Sequence, residues 1–186
     1  MVELSSLIVA IATASVAVFF TSFLVHMILK YHTADYRGLP NEDEVRAALA
    51  SSAKSPGQYF IPHCTDHRQL QEPAIRQKFI DGPVALITMR PPGPPTMGKA
   101  LGQWFVLIVV VTAVAAYLTS KTVLHGASFL AVARSVSLIT LLAYGVGSVT
   151  QAVWAGKPWA VVFRDLIDAF LYALATACVF GWMWPR

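Results

Sequence analysis

The sequence predicts an all-α membrane protein: a four-transmembrane-helix bundle with a small α+β cytoplasmic cap between helices 1 and 2. Apolar residues make up 56% of its 186 residues and charged residues only 13%, whereas a soluble domain carries about 25% charged residues. This low charge content excludes soluble, disordered and disulfide-rich secreted proteins. A helix needs about 20 apolar residues to cross the hydrocarbon core of a membrane, and the chain has four candidates of about this length. Four long stretches contain no Asp, Glu, Lys or Arg: residues 4–29, 100–120, 135–156 and 169–185.

The chain divides into a first transmembrane helix (residues 1–30), a polar cap or loop domain (31–98) and transmembrane helices 2 to 4 (99–186). A signal peptide has a positively charged start and a short apolar core, but the only early charge here is Glu3 and the first apolar stretch is longer. We therefore expect helix 1 to stay uncleaved. The four spans are expected at about residues 5–30, 99–119, 127–153 and 159–184.

The polar segment has signals of its own. Asn41, followed three residues later by Glu44, has the pattern of a capping box and predicts a helix that ends near Ala53. Glu72-Pro73 begins a second helix, since proline is tolerated in the first turn. Two short strands are expected at residues 58–61 and 84–89.

The distribution of basic residues predicts the orientation of the bundle. Cytoplasmic loops carry an excess of Lys and Arg near the ends of the spans. The side that holds residues 31–98 and the turn after helix 3 has six such residues, and the side of the two termini has three. We therefore expect residues 31–98 in the cytoplasm and both termini outside. The six are Lys30, Arg37, Arg90, Lys99, Lys157 and Arg164, and the three are Lys121, Arg134 and Arg186.

The five tryptophans lie near the ends of the predicted spans. Indole rings prefer the headgroup level of a bilayer, so we interpret all five as membrane anchors: Trp104, Trp154, Trp159, Trp182 and Trp184.

Polar residues form a stripe on helix 3 and another on helix 4, at the loop end where His26 also lies. An ionisable group inside a span is costly unless it faces the bundle interior or water, so these side chains are expected to face one another. A proton or ion relay or a ligand pocket would use them, while interhelical hydrogen bonds would explain them without a function. The predicted cluster comprises His26, Tyr144, Ser148, Gln151, Asp165, Asp168 and Tyr172. Arg164, four residues before Asp168, is expected to pair with it.

Small residues recur every fourth position on helix 4, at Ala169, Ala173, Ala177 and Gly181. Such a ridge lets helix backbones approach closely inside a membrane. It suits packing against helix 3 of the same chain or against another subunit, and the sequence leaves both open.

His63, Cys64 and His67 in the cap are candidate metal ligands, since nitrogen and sulfur ligands at this spacing can reach one ion. A complete zinc site would need a fourth ligand, such as His32, Asp66 or His26. The alternative is that these are ordinary loop residues. A metal ion is the one cofactor that the sequence suggests.

Catalytic signatures are absent from the sequence: it contains no Walker loop, GxSxG, HExxH or CxxCH motif and no dinucleotide fingerprint. An enzyme is therefore not favoured. The sequence also lacks a basic run with interleaved aromatic residues, so nucleic acid is not expected as a partner.

Several short motifs give the chain a family resemblance. They are Lys30-Tyr31-His32 with Asp35-Tyr36, Pro56-Gly57-Gln58-Tyr59 through Pro62-His63-Cys64, Gly93-Pro94-Pro95 before Met97-Gly98-Lys99, Trp154-x-Gly-Lys-Pro-Trp159 and the closing Phe180-Gly-Trp-Met-Trp-Pro-Arg186. With these motifs, which span most of the chain, it resembles a family of uncharacterised bacterial four-span membrane proteins. The resemblance implies the bacterial inner membrane, hence periplasmic termini, and no particular activity.

Three functional hypotheses follow. The first is an accessory or scaffold subunit that binds itself or other membrane subunits within the bilayer, as the small size and the helix 4 ridge favour. The second is a small transporter or ion- or proton-conducting protein that uses the polar cluster near Asp168. The third is a metal-binding membrane protein that uses His63, Cys64 and His67.

Overall fold

The computed structural model describes residues 2–53, 55–66 and 68–186. Within these residues the chain forms six α-helices and one two-stranded sheet. Four helical segments are long and apolar enough to cross a membrane, and the sheet lies in sequence between the first and the second of them. The predicted all-α fold with four spans and a small α+β segment between the first two is confirmed, and the protein is a multi-pass membrane protein.

The first span, Leu4–Leu29, contains α1 (Ile8–Phe23) and ends in a π-helical turn, Leu24–Leu29. Lys30 follows with φ +51°, in the left-handed region that few residues other than glycine adopt. The reversal at Lys30 leads directly into a 3-10 turn, Tyr31–Asp35. This turn brings polar side chains back to the end of the helix bundle.

Residues 38–95 form a compact unit of their own. Its two strands pair antiparallel, with Gly57 opposite Met89 and Ile61 opposite Ala85. Asn41 is the N-cap residue, but its side-chain amide contacts Glu44 at 3.3 Å and caps no backbone N–H. The elements are α2 (Glu42–Ser52), β1 (Gly57–Ile61), α3 (Pro73–Asp81) and β2 (Ala85–Met89), close to the predicted bounds.

The second unit comprises residues 2–37 and 96–186. Residues 31–37, which the sequence prediction assigned to the polar segment, belong to this unit because the Tyr31–Asp35 turn bonds to the last span. Ser128 caps the N-terminus of the third span through its side chain. Gly156, at φ +71°, ends that span. The helices are α4 (Met97–Thr122), α5 (Phe129–Ala155) and α6 (Trp159–Met183).

An apolar core closes the end of the helical unit that lies away from Lys30 and Gly156. Leu7 of the first span, Val132 and Val136 of α5 and Phe180 of α6 are fully buried there. We call the opposite end, where Lys30, Met97 and Gly156 lie, the loop end.

The small-residue ridge of α6 approaches α5 at its two ends. Ala169, Ala173 and Ala177 are buried. A Cβ atom built on Gly181 would lie 2.5 Å from the ring of Phe129, the first residue of α5. A Cβ atom built on Gly145 of α5 would lie 3.5 Å from the Cβ atom of Ala169. Small residues allow this close approach, so both ends of the ridge lie against the protein's own α5.

The five tryptophans occupy two kinds of position. Trp154, Trp159 and Trp182 are exposed on the surface of the helical unit, as side chains that contact lipid would be. Trp184 is only 4% exposed and donates a hydrogen bond to the Leu124 carbonyl. Trp104 packs against two tyrosines, as described below. These two rings therefore contribute to helix packing.

A candidate ligand-binding site at the loop end of the bundle

A cavity of about 720 Å³ opens at the loop end of the helical unit. This volume lies within the range of small-molecule sites, about 300–1,000 Å³. All four spans contribute to its wall, and most of the lining side chains are apolar. The apolar lining residues include Phe19, Phe23, Met27, Met97, Leu101 and Leu107.

The seven residues of the predicted polar cluster all line this cavity: His26, Tyr144, Ser148, Gln151, Asp165, Asp168 and Tyr172. Six of them lie on α5 and α6, where the 3.6-residue helical period places them on the faces that meet at the cavity, and His26 lies at the end of the first span. Sequence reasoning missed other parts of the site, namely the Tyr31 and Asp35 side chains and the inward position of Trp104.

Asp168 lies at the centre of the polar part of the site. It is 6% exposed and is the only acidic or basic residue among the buried residues that the structure describes. The Tyr31 hydroxyl donates to its Oδ1 atom. The Nε2 atom of His32 lies 2.9 Å from its Oδ2 atom, and the Nε2 atom of His26 lies 3.6 Å from the same oxygen. A buried carboxylate is thus compensated by donors from the segment that follows the first span.

His32 lies between two carboxylates, since its Nδ1 atom is 2.6 Å from Oδ2 of Asp35. Arg164 donates to the other oxygen of Asp35. The predicted pairing of Arg164 with Asp168 is therefore replaced by a longer-range pair, which anchors the Tyr31–Asp35 turn to α6. Burial opposes the charged form of His32, but hydrogen bonds to Asp35 and Asp168 outweigh it and raise the pKa of His32.

Two further pKa shifts have the same origin. Burial acts against ionisation of Asp35, but its hydrogen bonds with His32 and Arg164 prevail and lower its pKa. Burial and the neighbouring Asp168 raise the pKa of Tyr31 and keep its hydroxyl a donor. In this network the carboxylates of Asp35 and Asp168 are the acceptors. Arg164 donates to Asp35, Tyr31 donates to Asp168, and His32 lies between the two carboxylates.

Asp165 forms a second paired group, one helical turn from Asp168. Its Oδ2 atom lies 2.5 Å from Nζ of Lys157, in the turn between α5 and α6. The same oxygen accepts a hydrogen bond from the Ser148 hydroxyl on α5. Asp165 is a quarter exposed, so this pair lies at the mouth of the cavity.

Three aromatic rings form the inner wall of the cavity. Trp104 lies 5.9 Å from both Tyr144 and Tyr172, measured between ring centroids, and the two tyrosines are 5.3 Å apart. The indole N–H of Trp104 donates to the Ser22 hydroxyl at 3.1 Å. The hydroxyl oxygens of Tyr144 and Tyr172 are buried without a hydrogen-bond partner among the described residues. An unpaired buried hydroxyl costs about 1–3 kcal/mol, which a bound polar group would recover.

The predicted metal ligands of the cap do not belong to this cavity. His63 and Cys64 lie in the unit of residues 38–95, and His67 lies outside the described residues. The Cys64 thiol contacts the Asp66 carbonyl at 3.1 Å and the Gln69 side chain at 3.4 Å. These contacts are those of a loop thiol that hydrogen-bonds within its own turn.

Comparisons with protein families, curated proteins and solved structures found no match to the chain. The resemblance to four-span bacterial proteins remains a prediction. The four candidate spans establish the general class, a multi-pass membrane protein.

Proposed function

We propose that the protein binds a small amphipathic molecule from the bilayer. The proposal rests on the cavity, which has an apolar wall and a cluster of polar side chains at the loop end. A site of this volume suits a molecule of moderate size. The apolar part of the ligand would lie against Phe19, Leu101 and Leu107, and its polar head would face Asp168.

The charges around the cavity indicate a neutral head. Asp165 is paired with Lys157, and Asp168 with Tyr31 and His32. A charged head would need to displace one of these pairs in a region of low dielectric, where unpaired charge is expensive. Among the described residues, the buried hydroxyls of Tyr144 and Tyr172 have no hydrogen-bond partner and can donate. They favour a head that carries carbonyl, ether or hydroxyl oxygens as acceptors.

The same arrangement favours binding over ion conduction through a single copy. The acidic and basic side chains that line the cavity lie at the loop end, and the opposite end is filled by Leu7, Val132, Val136 and Phe180. The buried hydroxyls between them, such as Thr112 of α4, donate to carbonyls of their own helices. A proton that reached Asp168 would meet an apolar barrier.

The proposal is tested by filling the cavity. Ala143 lines it, while the adjacent Leu142 is 54% exposed on the outer face of α5. Ala143→Trp would place a large ring in the cavity, and Leu142→Trp is the matched control with the same ring added outside. The full chain is purified in mild detergent from its host membranes. Organic extracts are then analysed by mass spectrometry for a molecule retained in stoichiometric amount.

We expect the parent and Leu142→Trp to retain the same amphipathic molecule and Ala143→Trp to lose it. Tyr144→Phe keeps the ring and removes one donor, so it should reduce retention by roughly fivefold, the effect of a hydrogen bond worth about 1 kcal/mol. A parent protein without such a molecule, or equal retention by Ala143→Trp, would contradict the proposal.

A second candidate is the accessory or scaffold subunit. In the unit of residues 38–95, none of the side chains that the structure describes is fully buried, and Phe60, Ile80 and Leu86 are 41%, 68% and 43% exposed. Apolar side chains left uncovered in a small unit are typical of a contact surface. The partner would be a second copy or another membrane subunit. Mass measurement in mild detergent tests this, and a particle of one chain without partners would count against it.

For location, we propose the inner membrane of a bacterium, with residues 31–98 in the cytoplasm and both termini periplasmic. The six basic residues near the loop-end boundaries, against three at the opposite end, support this orientation. Labelling of Cys64 in intact cells and in inverted vesicles with a membrane-impermeant thiol reagent tests it. Labelling in intact cells alone would reverse the orientation.

A further inference from the structure

The side chains around Asp168 have a second property, which does not depend on the amphipathic ligand. His26, His32 and Asp168 each offer one potential ligand atom, and these three atoms all lie within 4.8 Å of one another. The imidazole rings of His26 and His32 are stacked, with centroids 4.8 Å apart and planes only 4° from parallel. The three residues come from three elements: His26 from the end of the first span, His32 from the Tyr31–Asp35 turn and Asp168 from α6.

The hydrogen bonds of the two histidines fix which ring nitrogen faces Asp168. The Nδ1 atom of His26 lies 3.1 Å from the Ser22 carbonyl oxygen, which can only accept, so this nitrogen carries the proton. The Nδ1 atom of His32 faces the Asp35 carboxylate at 2.6 Å and is a donor for the same reason. Both Nε2 atoms then face Oδ2 of Asp168, at 3.6 Å and 2.9 Å.

This is the hydrogen-bonding pattern of metal-ligating histidines. Such histidines donate the second ring N–H to a backbone carbonyl or a carboxylate, which orients the ring. Here Ser22 supplies the carbonyl and Asp35 the carboxylate, and Arg164 in turn holds Asp35. A neutral His26 would otherwise direct its Nε2 lone pair at a carboxylate oxygen, an arrangement that a cation between them would make favourable.

We propose that His26, His32 and Asp168 form a binding site for a divalent transition-metal ion. Two imidazoles and one carboxylate are the donor set of zinc hydrolases and of non-haem iron sites, which keep one or more coordination positions open. Magnesium and calcium prefer oxygen ligands, so they do not suit this set. Metal–nitrogen distances of about 2.0–2.1 Å require the ligand atoms to rearrange, since Nε2 of His32 and Oδ2 of Asp168, now 2.9 Å apart, must separate slightly to admit an ion. The His26 side chain, 47% exposed, can move to do so.

The open positions would face the cavity, since His26 and Asp168 line it. An ion there would act as a Lewis acid toward an oxygen atom of a bound molecule. On binding, the ion replaces the proton between His32 and Asp168, and this proton leaves to solvent, because ligating imidazole and carboxylate are deprotonated. The site differs from the cap motif that the sequence suggested, which lies in the unit of residues 38–95.

The test uses the full chain in detergent, stripped of metal with a chelator that is then removed. Cobalt(II) is titrated and followed by its visible absorption, and zinc(II) is then used to displace it. His26→Gln removes one ligand from a half-exposed position whose hydrogen bond is to its own helical turn, so the variant is expected to fold. His63→Gln, in the unit of residues 38–95, and His125→Gln, in the turn between α4 and α5, are matched controls.

We expect the parent and both controls to bind one equivalent of cobalt, displaced by zinc, and His26→Gln and Asp168→Asn to lose this binding. Asp35→Asn should weaken it about 10–100-fold, as expected for a residue that orients a ligand. Absence of stoichiometric binding by the parent, unchanged binding by His26→Gln, or loss of binding in His63→Gln would each overturn the proposal. If Asp168→Asn fails to give a monodisperse protein, His26→Gln alone decides.

Discussion

The Tyr31–Asp35 turn supplies three of the polar side chains around Asp168, and its attachment to α6 can be measured directly. Asp168 accepts hydrogen bonds from Tyr31 and His32. Asp168→Ala removes both acceptor oxygens and adds no new contact. The Arg164–Asp35 pair remains in this variant, so the turn is still held to α6 at one point. With fewer bonds to break, the turn should detach from α6 more often.

The size of the effect follows from the two lost bonds. A hydrogen bond to a charged group contributes about 1.5–3 kcal/mol, and breaking a buried ionic contact from one side costs about 3–5 kcal/mol. Because His32 and Tyr31 are partly exposed and water can reach them in the variant, we use the lower limit, about 3 kcal/mol. Each 1.4 kcal/mol is a factor of ten, so detachment of the turn should become at least about 100-fold more frequent.

Hydrogen exchange followed by mass spectrometry measures this detachment on peptides that cover residues 31–37. Exchange there should rise at least about 100-fold in Asp168→Ala, or to the rate of an unstructured peptide. Asp165→Asn is the matched control: it changes a carboxylate one turn away that contacts Lys157 and Ser148 and should leave residues 31–37 unchanged. Equal exchange in the parent and Asp168→Ala would refute the attachment and, with it, the geometry of the whole site.

Two other substitutions test the packing of the bundle. Gly181→Ala places a methyl group 2.5 Å from the Phe129 ring, whereas the methyl group of Gly147→Ala meets no atom within 4 Å. Both variants exchange glycine for alanine within a helix and so gain the same helix propensity. The overpacked Gly181→Ala variant should therefore be less stable than Gly147→Ala by about 1–3 kcal/mol. Thermal unfolding in detergent measures this, and equal midpoints would show that α5 and α6 do not pack as described. Ser128→Ala removes the side-chain cap of α5, a 3.4 Å contact with the Ala131 N–H. It should lower stability by about 0.5–1 kcal/mol, and an unchanged midpoint would show that this cap contributes nothing.

The fold could be predicted because membrane spans leave a strong signal. Runs without charged residues fix their number, and glycine and proline mark their ends, as at Gly156. The cavity-facing positions on α5 and α6 were also predictable, since a helix repeats every 3.6 residues and polar residues avoid lipid. Asp168 and Tyr144 could therefore be assigned to a common site from the sequence alone.

The rest of the site depends on features that carry no such signal. Lys30 adopts a left-handed backbone conformation. A glycine or asparagine at this position would have predicted that conformation from the sequence, whereas a lysine does not. The position of the Tyr31–Asp35 turn follows from that one residue. Arg164 was expected to pair within its own helix, yet Asp168 is already occupied by Tyr31 and His32, and Arg164 pairs with Asp35 instead.

Trp104 shows the same limit in another way. Its place near the end of a predicted span favours a membrane anchor, but the ring turns inward, where its N–H donates to Ser22 and the ring packs against Tyr144 and Tyr172. The position of a residue along a helix gives its depth. Its neighbours on other helices decide whether it faces lipid or protein.

The pairing of charges restricts what the cavity can accept. Each carboxylate near it has a protein donor: Asp35 has Arg164 and His32, Asp165 has Lys157, and Asp168 has Tyr31 and His32. An anionic ligand would face carboxylates whose counter-charges are engaged, and an organic cation would have to compete with Lys157 or His32 in a poorly solvated site. A metal ion differs, because it replaces a proton that lies between two existing groups and leaves the other pairs intact. We therefore expect the cavity to bind a neutral amphipathic molecule, with or without an ion at Asp168, in preference to ligands that carry a full organic charge.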